Sequence, residues 1–428
     1  MSITLDQINA LFKQCFAAET TETIKETPYF LKMTKTVKVS KEYTVPINLK
    51  PGHSMRYAQN PFEKVAYREY SGPHIKEAKG TITAKFFKIE VPLGVIDGLN
   101  KNSGRDGLAY ETARYFIHDA VKTNQLLAEL SFMYGEEGLP TITSVDNTFG
   151  GNALPPTQIA FNYDALSTAD AILRIINNSK VWIVKEDGTP LKNTDGSYEY
   201  QILNIDFVQK RILVESSDAA ISAVPTSGNF RLCVATQLDN DNLGLLQLMR
   251  RRGVVLGIDD NAYVNWQPGY FDCGKDRLTI RKVKDAASFL ITRGGVMDED
   301  LYLFVSQDSW DDLSSEIDAG RQFDYSYDSG KNMSGQRSVG IMHSNGIIHV
   351  VYHPLMKRGM AFLLTDPKNA NNLINLTTDK IMEFENDKDF SASENSSSAY
   401  VIGKMYFSPF TRDRRRHLLI ENIVNSTS

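Results

Sequence analysis

At 428 residues and 48.1 kDa the chain is too long for one ordinary compact domain, and two or three packed units are expected. With 42% hydrophobic and 23% charged residues it is ordinary globular material, and a net charge of −5 excludes the global basic field of a nucleic-acid reader. The three cysteines, Cys15, Cys233 and Cys273, lie far apart without C-x-x-C spacing, which excludes a disulfide framework or cysteine-rich zinc module and fits a reducing compartment.

In chain order, the N-terminus lacks the basic start and apolar core of a signal peptide, and no apolar run reaches the roughly 18 residues of a membrane helix. A soluble, cytosolically made chain without membrane contact is expected. Leu5, Ile8, Leu11, Phe12, Cys15 and Phe16 recur at three- and four-residue spacing, and Thr4 with Gln7 fits a capping box, so a short amphipathic helix is predicted. It packs either on its own domain or, beyond the polar stretch from Glu19 to Lys25, on a neighbouring subunit.

From Lys32 to Val91 the pattern is extended. Val37, Val39, Tyr43, Val45 and Ile47 alternate with polar residues, as do Ile82, Phe86 and Ile89. Between them runs a polar, Gly- and Pro-punctuated stretch from Pro51-Gly52-His53 to Ser71-Gly72-Pro73-His74. The whole reads as a long two-stranded ribbon, and such a ribbon, with one face to bury, needs a partner surface.

Asp106 to Tyr134 contains no proline and carries one stripe of Ala109, Ala113, Phe116, Ile117, Ala120, Leu127, Leu130 and Tyr134, ended by Gly135. This predicts a helix of roughly 43 Å at about 1.5 Å per residue. Residues 139–180 are mixed, with a short helix at Ser167 to Asn177. Val181 to Val184, Tyr200 to Phe207, Arg211 to Val214 and Phe230 to Ala235, with the hairpin signals Asp187-Gly188 and Asp195-Gly196, predict a β-rich subdomain.

Helices are then predicted at Asn242 to Arg252, Leu278 to Thr292 and from Ser309 onward, and strands at Leu301 to Val305 and Gly346 to Tyr352. Ser391 to Ser398 is Ser/Asn-rich and expected to be mobile. Arg412, Arg414, Arg415 and Arg416 precede an apolar ending, Leu418 to Ile423.

Catalytic signatures are missing. There is no Walker loop, no G-x-G-x-x-G after a strand and no G-x-S-x-G elbow. Asp239-Asn-Asp241-Asn-Leu-Gly244 starts like a calcium loop, but Arg250 stands where the bidentate Glu belongs. His343, His349 and His353 lie in a β-branched strand context. There, four residues span roughly 13 Å, too far for one zinc, and core or interface histidines are expected. The carboxylates Asp298, Glu299, Asp300, Asp308, Asp311 and Asp312 sit where helix capping places them. Arg250-Arg251-Arg252 and the Arg412 to Arg416 cluster fit either a helix-dipole role or a patch facing DNA or a scaffold.

The order of arm, ribbon, outsized helix, β-rich insertion and α/β region resembles the coat fold of tailed bacteriophages, the HK-ninety-seven fold. The resemblance sharpens in Gly244-Leu-Leu-Gln-Leu-Met-Arg-Arg-Arg-Gly253-Val-Val-Leu-Gly-Ile258, in Leu278 to Arg293-Gly-Gly, in Leu303-Phe-Val-Ser-Gln-Asp-Ser-Trp310-Asp-Asp-Leu and in Gly346-Ile-Ile-His-Val-Val-Tyr-His-Pro-Leu-Met356. It covers roughly residues 35 to 365.

The resemblance implies an α+β major capsid protein. Its parts would be an N-terminal arm (1–44), an extended β-ribbon E-loop (45–91) and a peripheral domain (92–180) with a spine helix at 106–134. A β-rich insertion (181–240), an axial domain (241–390) with a return strand near 346–356, and a C-terminal segment (391–428) would follow. Subunit contacts are then expected at Leu5, Ile8 and Phe12 in the arm, at Arg56, Tyr57, Phe62, Tyr67 and Arg68 in the ribbon, and at Arg250, Arg251 and Arg252.

No catalytic, metal or cofactor residue is expected, and no enzyme activity. Implied partners are further copies of the chain in hexamers and pentamers, a separate scaffolding protein, a portal and possible decoration proteins. Double-stranded DNA would lie on the inner face, without sequence specificity and without a membrane. The implied location is the virion capsid, reached from the host cytoplasm. Lys50, Lys64, Lys76 and Lys79 lie in the ribbon, but no motif marks a cross-link. An encapsulin-like nanocompartment shell is the alternative.

Overall fold

The computed structural model describes residues 29–50, 72–92, 108–321, 339–384 and 398–425, with short interruptions, together with 391–392. Its α-helices are α1 (Tyr29–Met33), α2 (Leu108–Tyr134), α3 (Asp170–Ile176), α4 (Leu245–Arg250), α5 (Ile280–Gly294) and α6 (Gln307–Arg321). None is long and apolar enough to cross a membrane. The predicted arm helix and the polar ribbon tip fall outside the described residues, as does the Ser/Asn-rich 393–397.

The 27-residue α2 has the extent the proline-free stripe predicts. It stops at Gly135, whose φ of 58° is left-handed backbone that glycine adopts without strain. Its end is gripped from outside. A Cβ on Gly244 would lie 2.2 Å from the Gly135 nitrogen and 2.3 Å from the Tyr134 carbonyl carbon, so only glycine lets the chain leading into α4 cross here.

Two of the six barrel strands were not expected in the β-rich unit. The closed barrel takes Thr141–Asp146 and Gln158–Tyr163 as well as Lys180–Val184, Tyr200–Asp206, Arg211–Glu215 and Phe230–Val234. The stretch 139–163 reads as mixed in sequence because its apolar positions are short and interrupted. In the barrel they are the missing wall, with Ile142, Ile159 and Phe161 buried beside Ile183, Ile202, Ile212 and Leu232. Left-handed Gly188 (φ 85°) and Gly196 (φ 83°) mark the two Asp-Gly turns.

A six-stranded mixed sheet forms the second half, in the order 269–276, 417–423, 361–365, 301–305, 346–352, 339–343. Helices α5 and α6 cover one face through Val283, Ala286, Ala287, Leu290 and Leu313. Thr279 caps α5 by accepting from the Lys282 N–H at 3.3 Å, and Gly295 (φ 62°) closes its C-terminus. The opposite face packs Phe304, Phe362, Leu364 and Leu419 into the core that also holds α1, the end of α2 and the barrel.

The segment 391–428, read as a C-terminal segment, contributes strands to both sheets. Strand Ser398–Thr411, the longest among the described residues, organises a second sheet with Lys35–Lys38, Leu373–Thr377, Met382–Phe384, Ser391–Ala392 and Thr83–Pro92. Strand His417–Ile423 lies inside the α/β sheet, between 269–276 and 361–365.

Candidate functional site

Glu42–Lys50 and His74–Thr81 form an antiparallel hairpin, and among the described residues each strand pairs only with the other. This shortens the expected ribbon. Thr83–Pro92, read as part of its second arm, leaves the hairpin and pairs over its whole length with Ser398–Phe407. Both segments alternate, so sequence offers two possible partners, and the second buries Ile89 and Phe407.

One face of the hairpin lies along its own chain from Tyr43 to Leu49. Leu49, Ala78 and Gly80 are its buried residues, and Leu49 and Ala78 pack with Ile258, Trp266, Ile374, Leu376 and Phe410. The Tyr43 ring meets Phe410 edge-on at 5.2 Å, and the Arg412 guanidinium donates to the Tyr43 hydroxyl at 3.0 Å. Gly80 passes so close to Phe410 that a Cβ there would lie 2.6 Å from its ring. The Lys79 N–H donates to Leu256 O and the Asn265 amide to Leu49 O, at 2.9 and 2.8 Å. The hairpin's other face is open, with Ile75 56% exposed.

Beneath the packed face lies a buried ion pair. Arg414 and Asp260 are both fully buried, with Arg414 Nη1 3.3 Å from Asp260 Oδ2. Arg414 Nε donates to Leu248 O at 2.7 Å, and the guanidinium lies 6.0 Å from the Trp266 ring. Burial, opposed by Asp260, pulls its pKa down to about 10.

Two further buried clusters lock α2 to distant segments. The Glu129 carboxylate accepts from the Phe30 and Leu31 N–H groups at 2.6 and 3.2 Å. His353 Nδ1 accepts from Leu355 N–H, so its Nε2 carries the proton and donates to Glu129 at 3.3 Å. Lys85 bridges Asp241 and Ser131, each at 2.6 Å, with Phe407 3.7 Å below its ammonium, in a cavity of about 620 Å³. Burial lowers the Lys85 pKa and Asp241 opposes that shift. Asp241, the third residue of the calcium-like stretch that starts at Asp239, is thus an ion-pair partner of Lys85.

The histidines do not converge. His343 meets Ser288 at 3.0 Å, His349 is 3.6 Å from Asp300, and His353 is buried on Glu129. Among the described residues no three His, Cys, Asp or Glu side chains share a metal position. The carboxylates serve as partners: Glu299 to Arg416, Asp308 to Arg358, and Asp311 to Gln307.

Of the expected contact residues, Leu5, Ile8, Phe12, Arg56, Tyr57, Phe62, Tyr67, Arg68 and Arg251 fall outside the described part. Arg250 ends α4, half-exposed, 3.3 Å from Glu421 and 3.7 Å from Glu137; Arg252 lies 3.9 Å from Asp260. Arg412, Arg414, Arg415 and Arg416 all have intramolecular partners. Sequence reading missed the roles of Glu129 and Lys85. No local signal marked Glu129, which lies on the face of α2 opposite the apolar stripe, where a carboxylate reads as solvent-facing.

No family model matches the chain, and no curated protein matches it. Among solved structures it is similar to the cyanophage A-1(L) capsid subunit, at 10% identity and a TM-score of 0.47, covering 91% of this chain and 90% of that one. It is similar to the capsid of the native GTA particle, at 8% identity and a TM-score of 0.45, with 94% and 91% covered. The holo-SrpI encapsulin complex of Synechococcus elongatus is another, at 9% identity and a TM-score of 0.40, with 96% of each chain covered.

Proposed function

We propose that the chain is a shell-forming subunit, the major capsid protein of a tailed double-stranded DNA phage, and that it acts by assembly and not by catalysis. The hairpin carries this reading. One of its faces lies on a dedicated apolar cluster, yet no further strand pairs with either of its outer edges among the described residues. Such edges are costly to leave open in a soluble monomer, and a neighbouring copy is the partner a closed shell supplies. In this reading the hairpin is the base of the E-loop, α2 is the spine helix, and the α/β sheet lies toward the capsomer axis. Each contact can be modest because closure repeats it many times.

Hexamers and pentamers, a separate scaffolding protein, a portal, possible decoration proteins and packaged DNA belong to this proposal, as does a virion location after assembly in the host cytoplasm. The test is negative-stain electron microscopy with sedimentation of the purified chain, with and without its genomic neighbours. Closed particles, tubes or capsomer rings are expected. A chain that stays monomeric or dimeric under every condition would overturn the reading. Closed particles that lack DNA and a portal and carry an enzyme cargo would assign an encapsulin-like compartment instead.

A further inference from the structure

The outer corner of the α/β sheet carries an apolar patch that the shell reading does not use. Alternation places Met342 and Ile347, which pair across adjacent strands, on the face opposite α5 and α6, together with Tyr302, His349 and Gly340. Met342 is 78% exposed and Ile347 is 40% exposed. Tyr302 stacks on His349 at 4.9 Å, and Asp300 lies at the polar rim. Gly340, exposed and opposite His349, leaves a shallow step beside the Met342 side chain.

The same face of the same sheet holds the point where residues 1–28 leave the body. Phe30 is fully buried, with its ring 4.4 Å from Phe304 and 5.4 Å from His353. The Glu129 carboxylate fixes the backbone there. Met342 lies four strand positions and two strands away from Phe304, roughly 16 Å at about 3.3 Å per residue and about 4.8 Å per strand. The stripe Leu5, Ile8, Leu11, Phe12, Cys15 and Phe16 lies in the segment that this anchor tethers. Residues 17–28 can span up to roughly 40 Å, more than enough.

We propose that this stripe docks, within its own chain, on the patch of Met342, Ile347 and Tyr302. The tether decides for the same chain over a second copy. A short covalent link holds the stripe at an effective concentration on the order of millimolar, whereas a second copy in dilute solution must supply its own. The apolar faces match in kind, and the polar stretch from Glu19 to Lys25 forms the link. The proposal concerns the isolated subunit and stands apart from the shell reading.

The test uses native Cys15, since Cys233 and Cys273 are buried. In the full-length chain, Met342→Cys is oxidised with copper phenanthroline. Val208→Cys, 91% exposed on the barrel, serves as the control, and links are read by peptide mass spectrometry. Isotope-labelled and unlabelled protein are mixed before oxidation. A Cys15 link to position 342 at least roughly tenfold above that to position 208 is expected from the effective concentration, with both halves bearing one label. Phe12→Asp should return it to the control level. Equal linking at the two positions, or linking unaffected by Phe12→Asp, would overturn the proposal. Mixed-label links would overturn it in favour of a second copy's arm.

Discussion

The barrel and the hairpin are both antiparallel and both alternating in sequence, yet they treat their strand edges in opposite ways. The barrel closes Thr141–Asp146 against Phe230–Val234, so each of its six strands has two neighbours and its apolar residues face one interior. The hairpin has only two strands, so its outer edges stay open and its stability is borrowed from the surface under Leu49 and Ala78. Closure makes a β unit self-sufficient. A two-stranded pair must lay one face on another surface, and its outer edges remain available to a partner.

Breaking the hairpin's support should show that dependence. The largest effect is expected for Asp260→Ala, which leaves Arg414 charged and fully buried under the hairpin. Removing one partner of such a pair costs about 3–5 kcal/mol, read as a lowered denaturant midpoint. Phe410→Ala should cost about 3–4 kcal/mol by emptying the cluster under Tyr43 and Gly80. In hydrogen exchange it should release the amides of 42–50 and 74–81 while those of the barrel keep their protection. Equal loss in both regions would mean that the barrel, too, depends on that cluster.

A pH series sharpens the comparison, because the sheet behind the hairpin contains a histidine that folding keeps neutral. Asn372 donates to His417 Nε2 at 3.1 Å, and Thr411 Oγ1 lies 2.9 Å from the same nitrogen, so that nitrogen is bare. Burial pushes the His417 pKa down from 6.5 to about 4. Between those values the unfolded chain takes up a proton that the folded one refuses. This stability is fully present above pH 6.5 and is lost as pH falls toward 4, by about 3 kcal/mol in all. Denaturation midpoints measured from pH 7 to 4 should follow that slope, and His417→Gln should flatten it.

The smallest effect is expected on the hairpin's open side. Lys79 and Glu42 lie 3.4 Å apart and about half-exposed, so Lys79→Ala should change stability by no more than about 0.5 kcal/mol. A loss as large as that of Phe410→Ala would place the hairpin's stability in its exposed edge and remove the contrast with the barrel.

The sequence by itself determined what is local. The stripe and the glycine stop of α2 are legible because a helix is written in three- and four-residue spacing, and the helix expected at Leu278 to Thr292 is α5, within two residues at each end. The Asp-Gly turns marked part of the barrel, and strands 301–305 and 346–352 stood out as apolar runs. The tertiary structure alone decided which strand pairs with which. Thr83–Pro92 had a plausible partner nearby in sequence and took one more than 300 residues away instead. Thr141–Tyr163 joined the barrel, and the last strand entered the middle of a sheet. The buried charges followed the same rule: Glu129 meets His353 across 224 residues and Arg414 meets Asp260 across 154. Period and turn chemistry are properties of a short window, whereas pairing and charge burial depend on which distant surface arrives, and no window contains that.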